Sequence, residues 1–362
     1  MTLALLLLAC GLAFANGAND NGKGVAALVS AGEATPGRAL GWAAATTAVG
    51  STISFFWDGG LVALFRAGFL DGGADLQAAF FVAVLTGAIG WVLLATATGM
   101  PVSTTHAISG ALVGAGLVAV GMGRIEWARL ATHFALPLLL GPLVALAVVF
   151  LLARPITTLA RRAAGACACL IEEPTPVAAD GALALAHTRH AMAVGRVEAC
   201  AREAPSVVVE GSRVVRAANW LASGLVGFAR GWNDTPKIAA LALVAMPSGA
   251  RVAFPLVTAA MALGGLVGGR RVLDTLAARV TMLPAGESLA ASTASATLVS
   301  LASFHGLPLS TTHVTTGAVV GAGLARDRRS VRLRVVRDIV LAWIVTLPAG
   351  ALLALVTMSL MR

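Results

Sequence analysis

Apolar residues come in long runs in this chain, and those runs limit what it can fold into. They lie roughly at 2–15, 24–31, 39–57, 77–98, 107–121 and 130–152. A second set lies near 217–229, 238–247, 252–268, 287–304, 314–324 and 338–360. Of 362 residues, 58% are hydrophobic and only 12% are charged, about half the charge of an ordinary soluble domain. There are too few polar side chains to coat a globule in water. The pattern predicts an all-α polytopic membrane protein, surrounded by lipid and placed in the inner (plasma) membrane. It excludes soluble enzymes, nucleic-acid binders and secreted disulfide scaffolds. The run at 2–15 has no basic stretch before it, and polar residues follow directly from Asn16 to Lys23. It reads as a membrane segment that stays, not as a cleaved leader.

Several runs are shorter than the roughly 20 residues a spanning helix needs. Interruption by Gly, Pro and polar residues predicts discontinuous helices and re-entrant segments. About 10–12 membrane segments are expected in all.

Two sequence blocks each occur twice. Phe14-Ala-Asn-Gly-Ala-Asn-Asp-Asn-Gly-Lys23 matches Phe228-Ala-Arg-Gly-Trp-Asn-Asp-Thr-Pro-Lys237. Pro101-Val-Ser-Thr-Thr-His106 matches Pro308-Leu-Ser-Thr-Thr-His313, and the second match continues through the Gly110 and Gly317 segments. The offsets, 214 and 207 residues, are nearly equal. The order and spacing predict a duplication: a first repeat over 1–153, a central linker over 154–215 and a second repeat over 216–362.

Charge suggests how the repeats sit. The chain carries a net charge of +9, and all but two of its 26 basic residues are arginines, gathered in a few loops. Basic residues near membrane ends favour the cytoplasm. Arg154, Arg161, Arg162, Arg213 and Arg216 flank the central segment, and Arg326 to Arg337 precede the last run. Both loops are therefore expected on the cytoplasmic side, with both termini outside and the two repeats inverted. The central segment itself reads as a linker with some helix. Cys10, Cys167, Cys169 and Cys200 show no metal-ligand spacing with histidine and read as scattered free thiols.

The two lysines of the chain, Lys23 and Lys237, occupy equivalent places three residues after Asp20 and Asp234. On a helix that spacing puts both charges on one face. Ionisable groups inside a membrane are costly, and are usually paired or functional. Two readings stand: an ion pair that only neutralises itself, and a transport site. Asn19 and Asn233 precede the aspartates and can donate to an anion or ligate a cation. Ser103-Thr104-Thr105 and Ser310-Thr311-Thr312 follow prolines and open Gly/Ala-rich helical segments. They could cap those helices, or their hydroxyls and free N–H groups could form an anion site. His106 and His313 could relay a proton or make an orienting hydrogen bond. Glu287 is either a cation ligand or an interfacial charge. Gly110, Gly114, Gly317 and Gly321 have the spacing for close helix contact.

The duplicated G-x-N-D-x-x-K and P-x-S-T-T-H-x-x-x-G blocks resemble the signature of the PiT family of inorganic phosphate transporters. The resemblance covers roughly residues 10–120 and 217–360. It implies inverted repeats, two re-entrant hairpins carrying the Ser-Thr-Thr runs, broken helices carrying the Asn-Asp pairs, and frequently a homodimer. It implies symport of phosphate with sodium or protons, with no resident cofactor, and in some bacterial members carriage of a divalent metal–phosphate complex. Substrate would then meet Asn19, Asp20, Ser103, Thr104, Thr105, Asn233, Asp234, Ser310, Thr311 and Thr312. Asp20, Asp234, Glu287, His106 and His313 become candidates for the coupling ion, with Asp20 and Asp234 as possible sodium ligands and Lys23 and Lys237 as charge partners. Arg230 and Trp232 depart from Asn16 and Ala18 in the first copy. Ser292 stands where many family members carry a glutamate, and Thr47 about where the sodium-coupled branches tend to carry one, which weakens the case for sodium. Sulfate permease and passive anion channel are the competing readings. No nucleophile–base pair or zinc-ligand set points to an enzyme.

Overall fold

A computed structural model describes residues 2–67, 69–70, 77–179, 182–202, 207–244 and 246–362. The first half contains α1 (Thr2–Ser30), α2 (Pro36–Phe56), α3 (Leu61–Ala67), α4 (Ala78–Ala97) and α5 (Thr104–Ala119). Next, α6 (Trp127–Arg129) runs through a π-helical turn into α7 (Leu136–Ala164). A small sheet follows: β1 (Ala166–Ala179), β2 (Ala182–Arg196), the short helix α8 (Val197–Arg202) and β3 (Val207–Glu210). The second half contains α9 (Gly211–Leu243), α10 (Ala250–Gly268), α11 (Arg270–Asp274), α12 (Ala285–Phe304), α13 (Thr311–Arg326) and α14 (Leu333–Leu360).

Among the described residues, six helical stretches are long and apolar enough to cross a membrane: α1, α2, α4, Trp127–Ala164, α10 and α14. The sequence reading of 10–12 segments exceeds this because it includes stretches whose composition is diluted. α9 has 33 residues but carries the second Asn-Asp-x-x-Lys block, and α5 and α13 have 16 each. On the outer surface, α7 exposes Leu139, Leu143 and Leu151, and α14 exposes Ile344 and Leu352. That pattern suits lipid, not water.

Equivalent helices make reciprocal contacts. Around Gly17 of α1 the backbone meets Met261 of α10, and around Gly231 of α9 it meets Thr47 of α2. In both places a methyl group would run into a carbonyl oxygen. Gly110 and Gly114 of α5 lie in the same way against Leu347 and Ala351 of α14. Gly317 and Gly321 of α13 lie against Pro142 and Leu146 of α7. The packing role expected of the G-x-x-x-G spacings is what the helices use. Along α1, Asn16 meets Arg230 and Asp234 of α9, while Gly24 meets Val226. The two helices therefore cross antiparallel.

Three expectations need correction. The Asn-Asp blocks do not break their helices: α1 and α9 run unbroken through them, even past Pro236. In a medium without water, backbone groups gain most by staying paired within the helix, and packing carries α9 through Pro236 although the ring forfeits one hydrogen bond and crowds the preceding turn. Secondly, the fold is mostly helical but not all-α. Within the central segment, beside the end of α7, the short α8 and the start of α9, lies a three-stranded antiparallel sheet of order β2-β1-β3 where only some helix was expected. Its alanine-rich run reads as helical by propensity, but cross-strand pairing decides. Thirdly, the thiols are not all free. Cys167 and Cys200 are joined in a disulfide, because the β1–β2 hairpin returns the chain to where it began, and Cys10 and Cys169 remain free.

Candidate functional site

The two Asn-Asp-x-x-Lys copies sit on helix faces that point at each other. Asn16, Asn19, Asp20 and Lys23 recur at i, i+3, i+4 and i+7 on α1, and Arg230, Asn233, Asp234 and Lys237 do so on α9. That spacing makes one stripe on each helix. All eight side chains are buried.

Each lysine is held by both halves of the chain. Lys23 Nζ pairs with Asp20 and lies 2.7 Å from Asn19 Oδ1 and 2.6 Å from the Val102 carbonyl oxygen. It donates across to Thr312 Oγ1 at 2.7 Å. Lys237 Nζ pairs with Asn233, lies 3.2 Å from Asp234 Oδ1 and 3.0 Å from the Leu309 carbonyl oxygen, and donates across to Thr105 Oγ1 at 2.9 Å. The asparagine amides match as well. Asn19 Nδ2 donates to Thr96 Oγ1 and Asn233 Nδ2 to Ser303 Oγ, each at 2.9 Å.

The aspartates come together through one amide. Asn16 Nδ2 lies 2.8 Å from Asp20 Oδ2, 3.1 Å from Thr104 Oγ1 and 3.3 Å from Asp234 Oδ2. Asn16 Oδ1 accepts from Arg230 Nη1 at 3.3 Å. Arg230 is only 2% exposed, yet its Nε and Nη2 have no hydrogen-bond partner among the described residues. A buried guanidinium with free donors is costly, and it is a ready receptor for an oxyanion.

The Ser-Thr-Thr runs divide their labour. Ser103 and Ser310 are N-caps: their hydroxyls accept from the backbone N–H groups of His106 at 3.2 Å and His313 at 3.3 Å. The threonines reach the charged cluster. Thr104 and Thr105 do so from α5 and Thr312 from α13, while Thr311 is buried beside it in sequence. The cluster therefore lies at the N-terminal ends of α5 and α13, where helix dipoles favour an anion.

His106 and His313 stack ring on ring, with centroids 4.5 Å apart and planes within 9°. His313 Nδ1 lies 2.6 Å from Ser310 Oγ, while the buried Nδ1 of His106 has no partner among the described residues. The orienting reading thus has a geometric counterpart at His313.

The chain matches the Phosphate transporter family over residues 16–354. It belongs to that family. A candidate phosphate permease of Pyrococcus furiosus is 30% identical, over 97% of this chain and 94% of its own. A protein of Rhizobium meliloti named "Probable low-affinity inorganic phosphate transporter" is 29% identical over 98% and 94%. A solved structure titled "The sodium-dependent phosphate transporter" superposes with a TM-score of 0.78 at 22% identity, covering 99% of this chain and 98% of that one. The family is one of transporters and not of enzymes, and the chain is a multi-pass membrane protein.

In this phosphate transporter Glu287 stands apart from the cluster. It opens α12, whereas Ser303, the partner of Asn233, closes it. Sixteen residues of helix separate them by about 24 Å. The carboxylate is buried, with one oxygen 3.9 Å from the exposed Arg161 and the other unpartnered among the described residues. Sequence reasoning missed Arg230 and Asn16 as members of the cluster. Their i, i+3, i+4, i+7 register with the Asn-Asp-Lys residues was the available signal.

Proposed function

We propose that the protein is a secondary active symporter that carries inorganic phosphate, with a proton as its coupling ion. The observation that carries this reading is the buried Arg230, with two donors unpaired, among charges drawn from both halves. Arg230, Lys23 and Lys237 against Asp20 and Asp234 give three positive and two negative charges, a net of one positive. A monoanionic phosphate neutralises that excess, and neutrality is what a buried site needs. If one aspartate takes up a proton, the excess becomes two, and a dianionic phosphate fits instead. Proton and anion are then coupled by charge balance alone.

The substrate-binding set is Asn19, Asp20, Thr104, Thr105, Asn233, Asp234, Thr311 and Thr312, joined by Arg230, with Ser103 and Ser310 holding the helix starts. An ionised aspartate can accept a hydrogen bond from a P–OH group. Sulfate has no such proton at neutral pH, so a site built for that bond would discriminate against it. Thr47 is neutral and buried about where the sodium-coupled branches tend to carry a glutamate. Thr47 Oγ1 donates to the Gly227 carbonyl oxygen at 3.2 Å. This favours a proton over the sodium ion named for the structural neighbour.

The reciprocal helix contacts and the antiparallel crossing of α1 and α9 support two inverted repeats, 1–153 and 216–362, joined by the 154–215 segment. Arg154 and Arg161 of α7 line one pocket with Glu287, which opens α12, and Ala325, which ends α13. A helix pair that starts and finishes at the same end of its neighbour supports a re-entrant hairpin. Sixteen residues span only about 24 Å, short of the roughly 30 Å hydrocarbon core. Rocking of one repeat against the other would expose the cluster to each side in turn.

Uptake of radiolabelled phosphate into proteoliposomes tests the function. Sodium gradient, proton gradient and added magnesium are varied separately. Accumulation that follows the proton gradient and competes poorly with sulfate is the expected result. A strict sodium requirement would replace the proton as coupling ion. A magnesium requirement would make a metal–phosphate complex the cargo. Phosphate currents without accumulation would make the protein a channel.

A further inference from the structure

The central sheet gathers three sulfur atoms far in sequence from the charged cluster. Cys167 and Cys169 are two residues apart on β1, so both project from one face. The β2 residues opposite them are Gly195 and Ala193, both small. Cys200 on α8 closes over this face. The three sulfurs all lie within 4.8 Å of one another, and all three residues are buried, packed with Ile171, Ala193 and Val197. No fourth ligand joins them among the described residues. His190 is paired with Glu172, one position out of phase, and so lies on the other face. Glu210 sits opposite Cys167 on β3, but its carboxylate accepts from Ser212 at 3.2 Å and faces Arg213 at 3.8 Å.

We propose that Cys167, Cys169 and Cys200 form a three-sulfur binding site for a thiophilic metal ion, with copper(I) as the class that fits. Thiolate ligands select soft ions. Structural zinc takes four ligands almost without exception, and this apolar pocket supplies three. The site is loaded from the reduced protein. Two molecules of a small thiol, as in a reducing cytoplasm, give two electrons and two protons to the Cys167–Cys200 bond and leave as their own disulfide. Copper(I) then displaces the thiol protons. This rests on the cytoplasmic placement of the 154–215 segment, but the binding chemistry can be tested without it.

The site has a mechanical consequence. β1 begins two residues after α7 ends, and α9 begins directly after β3. A three-stranded sheet this small gains little from its own core. A metal bridging β1 and α8 would fix the sheet, and with it the spacing between α7 and the helix that carries Arg230, Asp234 and Lys237.

The test uses the full-length protein in detergent, reduced with dithiothreitol, then titrated with copper(I) under anaerobic conditions. Thiol counting should rise from two to four per chain on reduction. One copper should bind per chain with thiolate-to-metal charge-transfer absorbance, and the oxidised protein should bind none. C167S, C169S and C200S should each weaken binding by more than the roughly 10–100-fold that loss of an outer-shell partner costs, while C10S should leave it unchanged. X-ray absorption of copper-loaded wild type, which needs no variant to fold, should report three sulfur neighbours. A disulfide that resists reduction in the folded protein, binding retained in C169S, or a copper shell with fewer than three sulfurs would overturn the proposal.

Discussion

The two copies of the Asn-Asp-x-x-Lys stripe share a framework and differ in charge. Lys23 and Lys237 find the same four kinds of partner: their own asparagine and aspartate, a carbonyl at the foot of a neighbouring helix, and a threonine from the opposite half. One turn earlier the copies part. Asn16 in α1 is neutral and bridges both carboxylates, while Arg230 in α9 is charged and has two free donors. A perfectly symmetric cluster with asparagine twice would be neutral, with two lysines against two aspartates. One arginine leaves it one charge short of neutrality, and the deficit is where an anion belongs. Under the proposed transport cycle, symmetry in packing with asymmetry in charge would let one framework be reached from both sides while keeping one polarity of cargo.

The largest expected effect breaks the shared part. Asp20→Asn and Asp234→Asn should each abolish gradient-driven uptake in protein that still inserts. Removing one partner of a buried pair costs about 3–5 kcal/mol, which corresponds to more than a hundredfold. If the aspartates only neutralise their lysines, adding Lys23→Gln or Lys237→Gln should restore uptake. Persistent loss in well-expressed double variants is expected.

The next experiment attacks the asymmetry. Arg230→Gln should raise the apparent dissociation constant for phosphate by roughly a hundredfold or more, since two charge-assisted hydrogen bonds contribute roughly 1.5–3 kcal/mol each. Arg230→Lys should recover part of the affinity by restoring the charge without the fork. Asn16→Ala should weaken binding less than Arg230→Gln. Equal effects at Asn16 and Arg230 would remove the charge difference as an explanation.

Packing symmetry predicts equal losses at paired glycines. Gly17→Ala and Gly231→Ala each drive a methyl group into a carbonyl oxygen of the neighbouring helix. Overpacking of this kind costs about 1–3 kcal/mol. Thermal scans in detergent should show the two midpoints falling together, and a large difference between them would argue against equivalent halves.

The smallest effect separates hydroxyls that cap from hydroxyls that face the cluster. Ser103→Ala and Ser310→Ala should each lower stability by about 1 kcal/mol, the usual loss of an N-cap, with little change in phosphate affinity. Thr105→Val and Thr312→Val remove the cross-half partners of the lysines. These should weaken binding about tenfold, equivalent to 1.4 kcal/mol by the affinity relation. Isothermal titration and thermal scans on the same four proteins would show whether the division holds.

Much of this architecture was legible in the residues alone. Apolar runs fix a membrane protein because the hydrophobic effect acts on composition, whatever the final contacts. The duplicated blocks, the isolated lysines and their aspartates three residues earlier mark the cluster because a charge in hydrocarbon must have a partner. Glycines at four-residue spacing announce close helix contact because only a missing side chain permits it. Tertiary structure decided the rest. Whether a helix breaks at Asn-Gly or Thr-Pro depends on what neighbouring helices offer its backbone, and in α1 and α9 they offered enough to keep it whole. Whether serine or threonine meets the cluster depends on the angle at which α5 and α13 arrive, which sequence does not encode locally. Arg230 could have pointed outward to water from the sequence alone, as arginines do elsewhere in the chain. It turns inward because α9 buries that face against α1. The alanine-rich central segment forms strands, and closes Cys200 over Cys167 and Cys169, only because cross-strand pairing outweighs helix propensity once the hairpin has formed.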